Sequence, residues 1–138
     1  MMEVNWEKLR ELAVAASKRA YAPYSGYPVG VAGVTTDGRY YSGCNVENAS
    51  TGLGLCAECG MVSALTLDGG GQLAAVLCVN GNEDVIGPCG RCRQLIREHG
   101  ADGCLIEMGE GPVTIEDLLP YGFGAKDLAE VKGAINIL

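Results

Sequence analysis

Apolar residues recur first with a helical period. Leu9, Leu12, Ala13, Ala16 and Ala20 share one face, so residues 6–20 are predicted as an amphipathic helix with Asn5 as its N-cap. The aromatic, proline-containing run Tyr21-Ala22-Pro23-Tyr24-Ser25-Gly26-Tyr27-Pro28 ends it. Strands are then expected over 29–35 and 39–45, flanking the hairpin signal Asp37-Gly38. A loop leads to a helix over 56–67, stopped by Gly69-Gly70-Gly71, and the apolar run 72–80 reads as a central strand. A second loop reaches Pro88, which suits the first turn of a helix running to His99, with Gly100 as its stop. Residues 104–108 form a further buried strand, Val113-Thr114 an edge strand, and 115–119 a turn of helix. The mixed pattern of residues 120–138 assigns no element. Strand, loop and a helix opening with cysteine occur twice, an α/β arrangement. Such sheets bind ligands at the carboxyl ends of their strands, so both cysteine clusters are expected on one sheet edge.

Composition narrows the function classes. A chain of 138 residues suits one domain, taken as 1–138, and its 21 glycines, about twice the usual ~7%, imply many tight turns and close backbone approaches. A formal net charge of −7 lacks the basic footprint that a nucleic-acid backbone requires, which favours a small, weakly charged substrate. No apolar run approaches the ~20 residues needed to cross a bilayer, and residues 1–11 read as a polar helix start and not a secretory signal. A cytoplasmic location without membrane partners is therefore expected. Seven cysteines, an odd count, argue against a fully paired disulfide framework.

The chemistry-bearing signal is Cys56-Ala57-Glu58-Cys59 together with Pro88-Cys89-Gly90-Arg91-Cys92. Cys89 and Cys92, three apart on a helix, place their sulfurs on the same side. Both clusters fall at predicted helix N-termini, where the positive dipole end favours the thiolate. Zinc takes such ligands, and a catalytic site keeps three of them plus an open position for water. Two C-x-x-C pairs also permit a closed four-cysteine structural site. The separating residues 60–88 exceed the ~15–20 of the common structural pattern, and a closed site leaves Glu58 without purpose beside the metal.

The runs Cys56-Ala57-Glu58 and Pro88-Cys89-Gly90-Arg91-Cys92-Arg93-Gln94 resemble the zinc motifs of the cytidine deaminase family. The resemblance extends to Tyr21-Ala22-Pro23-Tyr24-Ser25, Val29-Gly30, the run from Gly43 to Ser50, and Leu118-Leu119-Pro120. It implies a three-layer α/β/α sandwich with a mixed sheet of about five strands, and hydrolytic deamination of cytidine and 2′-deoxycytidine in pyrimidine salvage. It further implies one Zn²⁺ per chain on Cys56, Cys89 and Cys92, activating a water, with Glu58 as the proton shuttle. Asn45 and Glu47 would hold a ribose hydroxyl, the Ala57 N–H the pyrimidine carbonyl, and Tyr27, where the family commonly has Phe, would pack on the base. Similar proteins are homotetramers, in which an aromatic such as Phe123 reaches a neighbouring subunit's site.

The chain departs from the family at Cys59, where Arg is common and offsets charge on the thiolates. Arg91, between two ligands, is the candidate replacement; the alternative is a solvated surface arginine. Thr51 and Gly54 also differ from the commoner Tyr and Thr. Cys44, Cys78 and Cys104 read as small core hydrophobes, and His99, the only histidine, as a helix C-terminal residue. The rivals are a deaminase of a cytosine-containing nucleoside antibiotic, a non-catalytic structural zinc module, and a thiol redox protein.

Overall fold

The computed structural model of the protein describes residues 3–131. Helix α1 (Trp6–Ser17) opens as predicted, with the Asn5 side chain accepting from the Lys8 N–H at 3.1 Å, one of the first-turn donors that a helix cannot satisfy itself. It closes at Ser17 and not at Ala20. The Arg19 and Ala20 N–H groups tighten back onto Ala16 and Ser17, and Tyr21 is drawn away to exchange backbone hydrogen bonds with Asn45 and Glu47.

Strands β1 (Val29–Thr35), β2 (Tyr40–Cys44), β3 (Leu73–Asn80), β4 (Val85–Ile86), β5 (Gly100–Glu107) and β6 (Pro112–Thr114) form one mixed sheet of six. Its order is β2-β1-β3-β5-β6, with β4 pairing the end of β3. The two-residue β4 is the strand that periodicity missed, being too short to show one. β1 is antiparallel to both neighbours, so β2 and β3 run the same way. Gly30 lies opposite Cys44 on one side and Val79 on the other. The carboxyl ends of β2 and β3 therefore share one sheet edge, as the repeated strand-loop-helix pattern requires. β5 starts directly after the preceding helix, earlier than residues 104–108 suggest. Its register against β3 slips between Gly100 and Leu105, where Gly103 takes a φ of 75° and donates its N–H to the Glu116 carboxylate. Residues 101–103, to which the sequence assigns no element, form a bulge inside the strand.

Side chains of the central strands alternate between two cores. Ala32, Val34, Ala75, Leu77 and Val79 meet Leu9 and Ala13 of α1. Val31, Val76, Cys78, Cys104 and Ile106 meet helices α2 (Ala57–Leu67), α3 (Gly90–His99) and α4 (Ile115–Leu118) through Met61, Leu65, Ile96 and Ile115. The result is the expected α/β/α sandwich. At Gly30 an added Cβ would lie 2.0 Å from the Ala13 carbonyl oxygen, so only glycine lets α1 seat this closely. In the tail, helix α5 (Ala125–Ala129) occupies part of the stretch that the pattern left unassigned. Residues 132–138 of that stretch lie outside the described residues.

Ile96 is fully buried and anchors the helix that carries two of the cysteines. Ile96→Ala is expected to lower unfolding stability by about 2–5 kcal/mol, read from urea denaturation of wild type and variant.

Candidate active site

Both loop-to-helix junctions end on a cysteine in extended conformation. Cys56 (φ −68°, ψ 155°) is the N-cap of α2 and Cys89 (φ −64°, ψ 166°) the N-cap of α3. Pro88 thus precedes the cap and does not enter the first turn. Neither cysteine caps through its sulfur, which leaves both thiols free to turn to the space between the helices. Cys92 joins them from the first turn of α3. The three sulfurs lie within 4.8 Å of one another, with Cys92 buried and Cys89 exposed. Among the described residues this is the one cluster that could hold a metal ion.

The spacing suits zinc. Two sulfurs at ~2.3 Å from a tetrahedral zinc stand about 3.8 Å apart, and the Cys56 and Cys89 sulfurs are 3.8 Å apart. Metal-free, the cluster is electrostatically uneven. Burial raises the Cys56 thiol, and burial followed by the Glu58 charge pushes Cys92 up strongly. Burial acts on Cys89 too, but the backbone N–H of Cys92 and the neighbouring thiols outweigh it and leave Cys89 lowered. One thiolate is favoured and two are not, the situation that a divalent cation reverses.

Cys59 does not join the group. Its sulfur lies 3.8 Å from Nη2 of Arg91, which reaches across from α3. The closed four-cysteine arrangement is therefore not the one formed.

Glu58 follows Ala57 on α2, is 3% exposed, and lines a cavity of about 260 Å³ with Cys56, Cys89, Cys78, Asn45 and Glu47. Burial raises its pKa, partly offset by hydrogen bonding from Cys92. Ion pairs among the described residues are confined to Arg39, so Glu58 has no cationic partner. A buried carboxyl with a pKa raised by desolvation, set in a cleft, is a candidate functional group. Ala57 also lines the cavity, and as the first helical residue its N–H has no intrahelical partner.

Asn45 and Glu47 reach the cavity from the loop after β2. The Asn45 side chain accepts from the Val29 N–H at 2.8 Å and donates to the Tyr27 carbonyl at 3.0 Å, leaving one donor and one acceptor site free. Glu47 accepts from the Tyr24 and Ser25 N–H groups at 3.0 and 3.1 Å and from the Ser25 hydroxyl. The Ser25 hydroxyl, then these backbone donors, hold its pKa below the ordinary carboxylate value. Sequence reasoning did not identify this clamp; Ser25 two residues after a proline was its only visible trace.

Other predicted residues are placed less centrally. Tyr27 is half exposed and stands outside the cavity wall, its hydroxyl accepting from Asn80 Nδ2 at 3.3 Å. Phe123 is 55% exposed, tied by its carbonyl to Gln94 Nε2. The cavity walls Val29, Cys78 and Ile86, from strands, and Leu55, from the loop before α2, carry no mark in the sequence of facing a cavity. Cys78 and Cys104 are buried as expected, Cys44 only partly.

With this geometry established, comparison with known proteins is specific. A family model described as "Cytidine and deoxycytidylate deaminase zinc-binding region" matches residues 4–108. A cytidine deaminase of Mycobacterium tuberculosis is 51% identical over 128 residues, covering 93% of this chain and 96% of that protein. One from Sporosarcina psychrophila is 36% identical, covering 89% and 94%. The crystal structure of cytidine deaminase from Mycobacterium leprae superposes with a TM-score of 0.83 at 58% identity, covering 86% of this chain and 99% of that one.

The position of Cys59 yields a direct expectation. Cys59→Ala removes no member of the sulfur cluster, so the purified variant should retain about one zinc per chain by atomic emission and lose no more than ~10–100-fold in metal affinity. Complete loss of zinc from Cys59→Ala would make it a ligand.

Proposed function

Because the chain belongs to the cytidine and deoxycytidylate deaminase family, we propose that it is a zinc-dependent cytidine deaminase, converting cytidine and water to uridine and ammonia, with 2′-deoxycytidine as a second substrate. The observation that carries this reading is the buried Glu58 carboxyl, which lines one cavity with Cys56 and Cys89, two of the three convergent thiols.

Cys56, Cys89 and Cys92 would hold one Zn²⁺, a Lewis acid able to lower the pKa of water to ~7. Around it the chain's own groups divide the remaining work. Glu58, its carboxyl raised by burial, takes the proton from the attacking water and returns protons to the ring nitrogen and the departing amine. A general acid–base works best with a pKa near the operating pH, and burial moves Glu58 in that direction. The Ala57 N–H donates to the pyrimidine carbonyl oxygen. Arg91, with its guanidinium beside Cys59, contributes the positive charge that offsets the net −1 of three thiolates around Zn²⁺.

Sugar recognition falls to Asn45 and Glu47. The amide has a free donor and acceptor, and the carboxylate, kept ionised by Ser25 and Tyr24, retains an acceptor site for a ribose hydroxyl. The family description spans nucleosides and nucleotides, and the charge of this cleft favours the nucleoside. The pocket beyond Glu47 is lined by Tyr24, Ser25, Asn48, Thr51 and Gly54, without a cation, and Glu47 itself is ionised. A 5′-phosphate would meet repulsion there.

Val46 and Leu55 of the cavity wall and Tyr24 of the adjoining pocket are exposed apolar or aromatic residues, as are Tyr27 and Leu53. Such exposed surface supports assembly of copies, for which we take the homotetramer, with Phe123 reaching a neighbour's site and Tyr27 closing on the base. No helix among the described residues is long and apolar enough to cross a membrane. All seven cysteines are free, which fits a reducing cytoplasm, and we take residues 1–138 as a single deaminase domain.

Purified protein should convert cytidine to uridine, followed by ultraviolet absorbance, with about one zinc per chain, and should turn over deoxycytidylate at least about tenfold less efficiently. Failure on cytidine by zinc-loaded protein would refute the assignment. Glu58→Gln should keep zinc yet lose about 10²–10⁴ in kcat, since an amide cannot shuttle protons; near-normal turnover by that variant would remove Glu58 from the mechanism.

A further inference from the structure

Strand β2 presents alternate residues to α2, and the two positions do opposite things. Near the helix C-terminus stands Tyr41, whose hydroxyl donates to Asp68 Oδ2 at 2.5 Å and accepts from Arg39 Nη1 at 2.7 Å. Arg39 Nη2 in turn donates to the Gly70 carbonyl at 2.7 Å. That end of α2 is spaced from the strand by a ring and tied by a polar network. At the other end stands Gly43. A Cβ there would lie 2.3 Å from the Ala57 carbonyl oxygen and 2.6 Å from the Met61 nitrogen. In an α-helix these two atoms, four residues apart, hydrogen-bond to each other, here in the opening turn of α2. Both are backbone atoms, so neither can rotate aside as a side chain would.

That first turn carries the cavity chemistry. Cys56 caps it, Ala57 offers its N–H, and Glu58 projects from it. Its partners Cys89 and Cys92 belong to α3. The three sulfurs converge only if the start of α2 sits deep against β2. Ordinary contact begins near 3.4 Å, so a methyl at 43 must drive the turn outward by about 1 Å. A misplacement of that size can lower rates ~10²-fold. Gly60 faces the same contact from the helix side, but its Cβ would meet Gly43 Cα at 3.7 Å, an ordinary separation.

We propose that Gly43 is a positioning residue for the active centre: the missing side chain sets the depth of the first turn of α2, and with it the approach of Cys56 and Glu58 to the cysteines of α3. This rests on the three-thiolate zinc site proposed above.

The test follows zinc transfer from zinc-loaded protein to an excess of a chromophoric chelator, beside urea unfolding and cytidine kinetics. Gly43→Ala should release zinc at least about tenfold faster than wild type, with kcat lowered and KM for cytidine little changed. Gly60→Ala should release zinc at the wild-type rate. Leu9→Ala empties a fully buried site on the opposite face of the sheet; it should lower the urea midpoint and leave zinc release unchanged. Wild-type zinc retention by Gly43→Ala, or release no faster than from Leu9→Ala, would overturn the proposal. If Gly43→Ala does not accumulate as folded protein, Gly60→Val applies the wedge from the helix side with a stiff branched side chain. Fast zinc release from it supports the proposal and wild-type release overturns it. A wild type that binds no zinc would instead overturn the three-thiolate site itself.

Discussion

Three thiols gathered within 4.8 Å are the constraint from which the rest of the architecture follows. Burial opposes ionisation of Cys56 and Cys92, and each thiolate formed opposes the next. Two features make the gathering tolerable. The sulfurs sit where α2 and α3 begin, so the positive ends of both helices face them. The spacing between Cys56 and Cys89 also matches that of two sulfurs on one zinc. Bringing two helix starts together requires two strands that end on the same edge. The antiparallel β1 between β2 and β3 supplies this, with Gly30 opposite the end of each.

The cavity beside the sulfurs is organised by contrast between its two carboxylates. Glu58 is buried, without an ion-pair partner, and its pKa is raised. Glu47 sits on the open side, and donors from Ser25 and Tyr24 hold it ionised. Environments that push two acids apart in pKa divide their roles, one free to exchange protons and the other a fixed acceptor. The loop 21–28 is therefore a working part of the site. Its backbone is held by Asn45 and Glu47, and with the sugar roles proposed for these residues, substrate binding and loop order would be linked.

How much of this could be read from the chain depended on how local each signal was. The cysteine spacing and the Glu58 position follow from two short motifs at helix starts, and the structure places them together as the repeated strand-loop-helix pattern requires. The β1 strand was legible to the residue because its apolar run is bounded by Pro28 and by the Asp37-Gly38 turn. Helix α1 was overextended, since the pull of Asn45 and Glu47 on Tyr21 is a long-range interaction. β5 begins four residues before the apolar run at 104, because a bulge at Gly103 interrupts its pattern. The Glu47 clamp and the Arg91–Cys59 contact each join residues more than twenty positions apart, and no periodicity announces such pairs.

The proposed chemistry requires an open site of three sulfurs, with Cys59 outside it. Zinc-edge X-ray absorption on the holoprotein tests this most directly, because sulfur and lighter neighbours scatter distinguishably. An open site gives three sulfur neighbours per zinc at ~2.3 Å and a lighter fourth neighbour. Four sulfur neighbours would contradict it, closing the site and leaving Glu58 with no chemistry to perform.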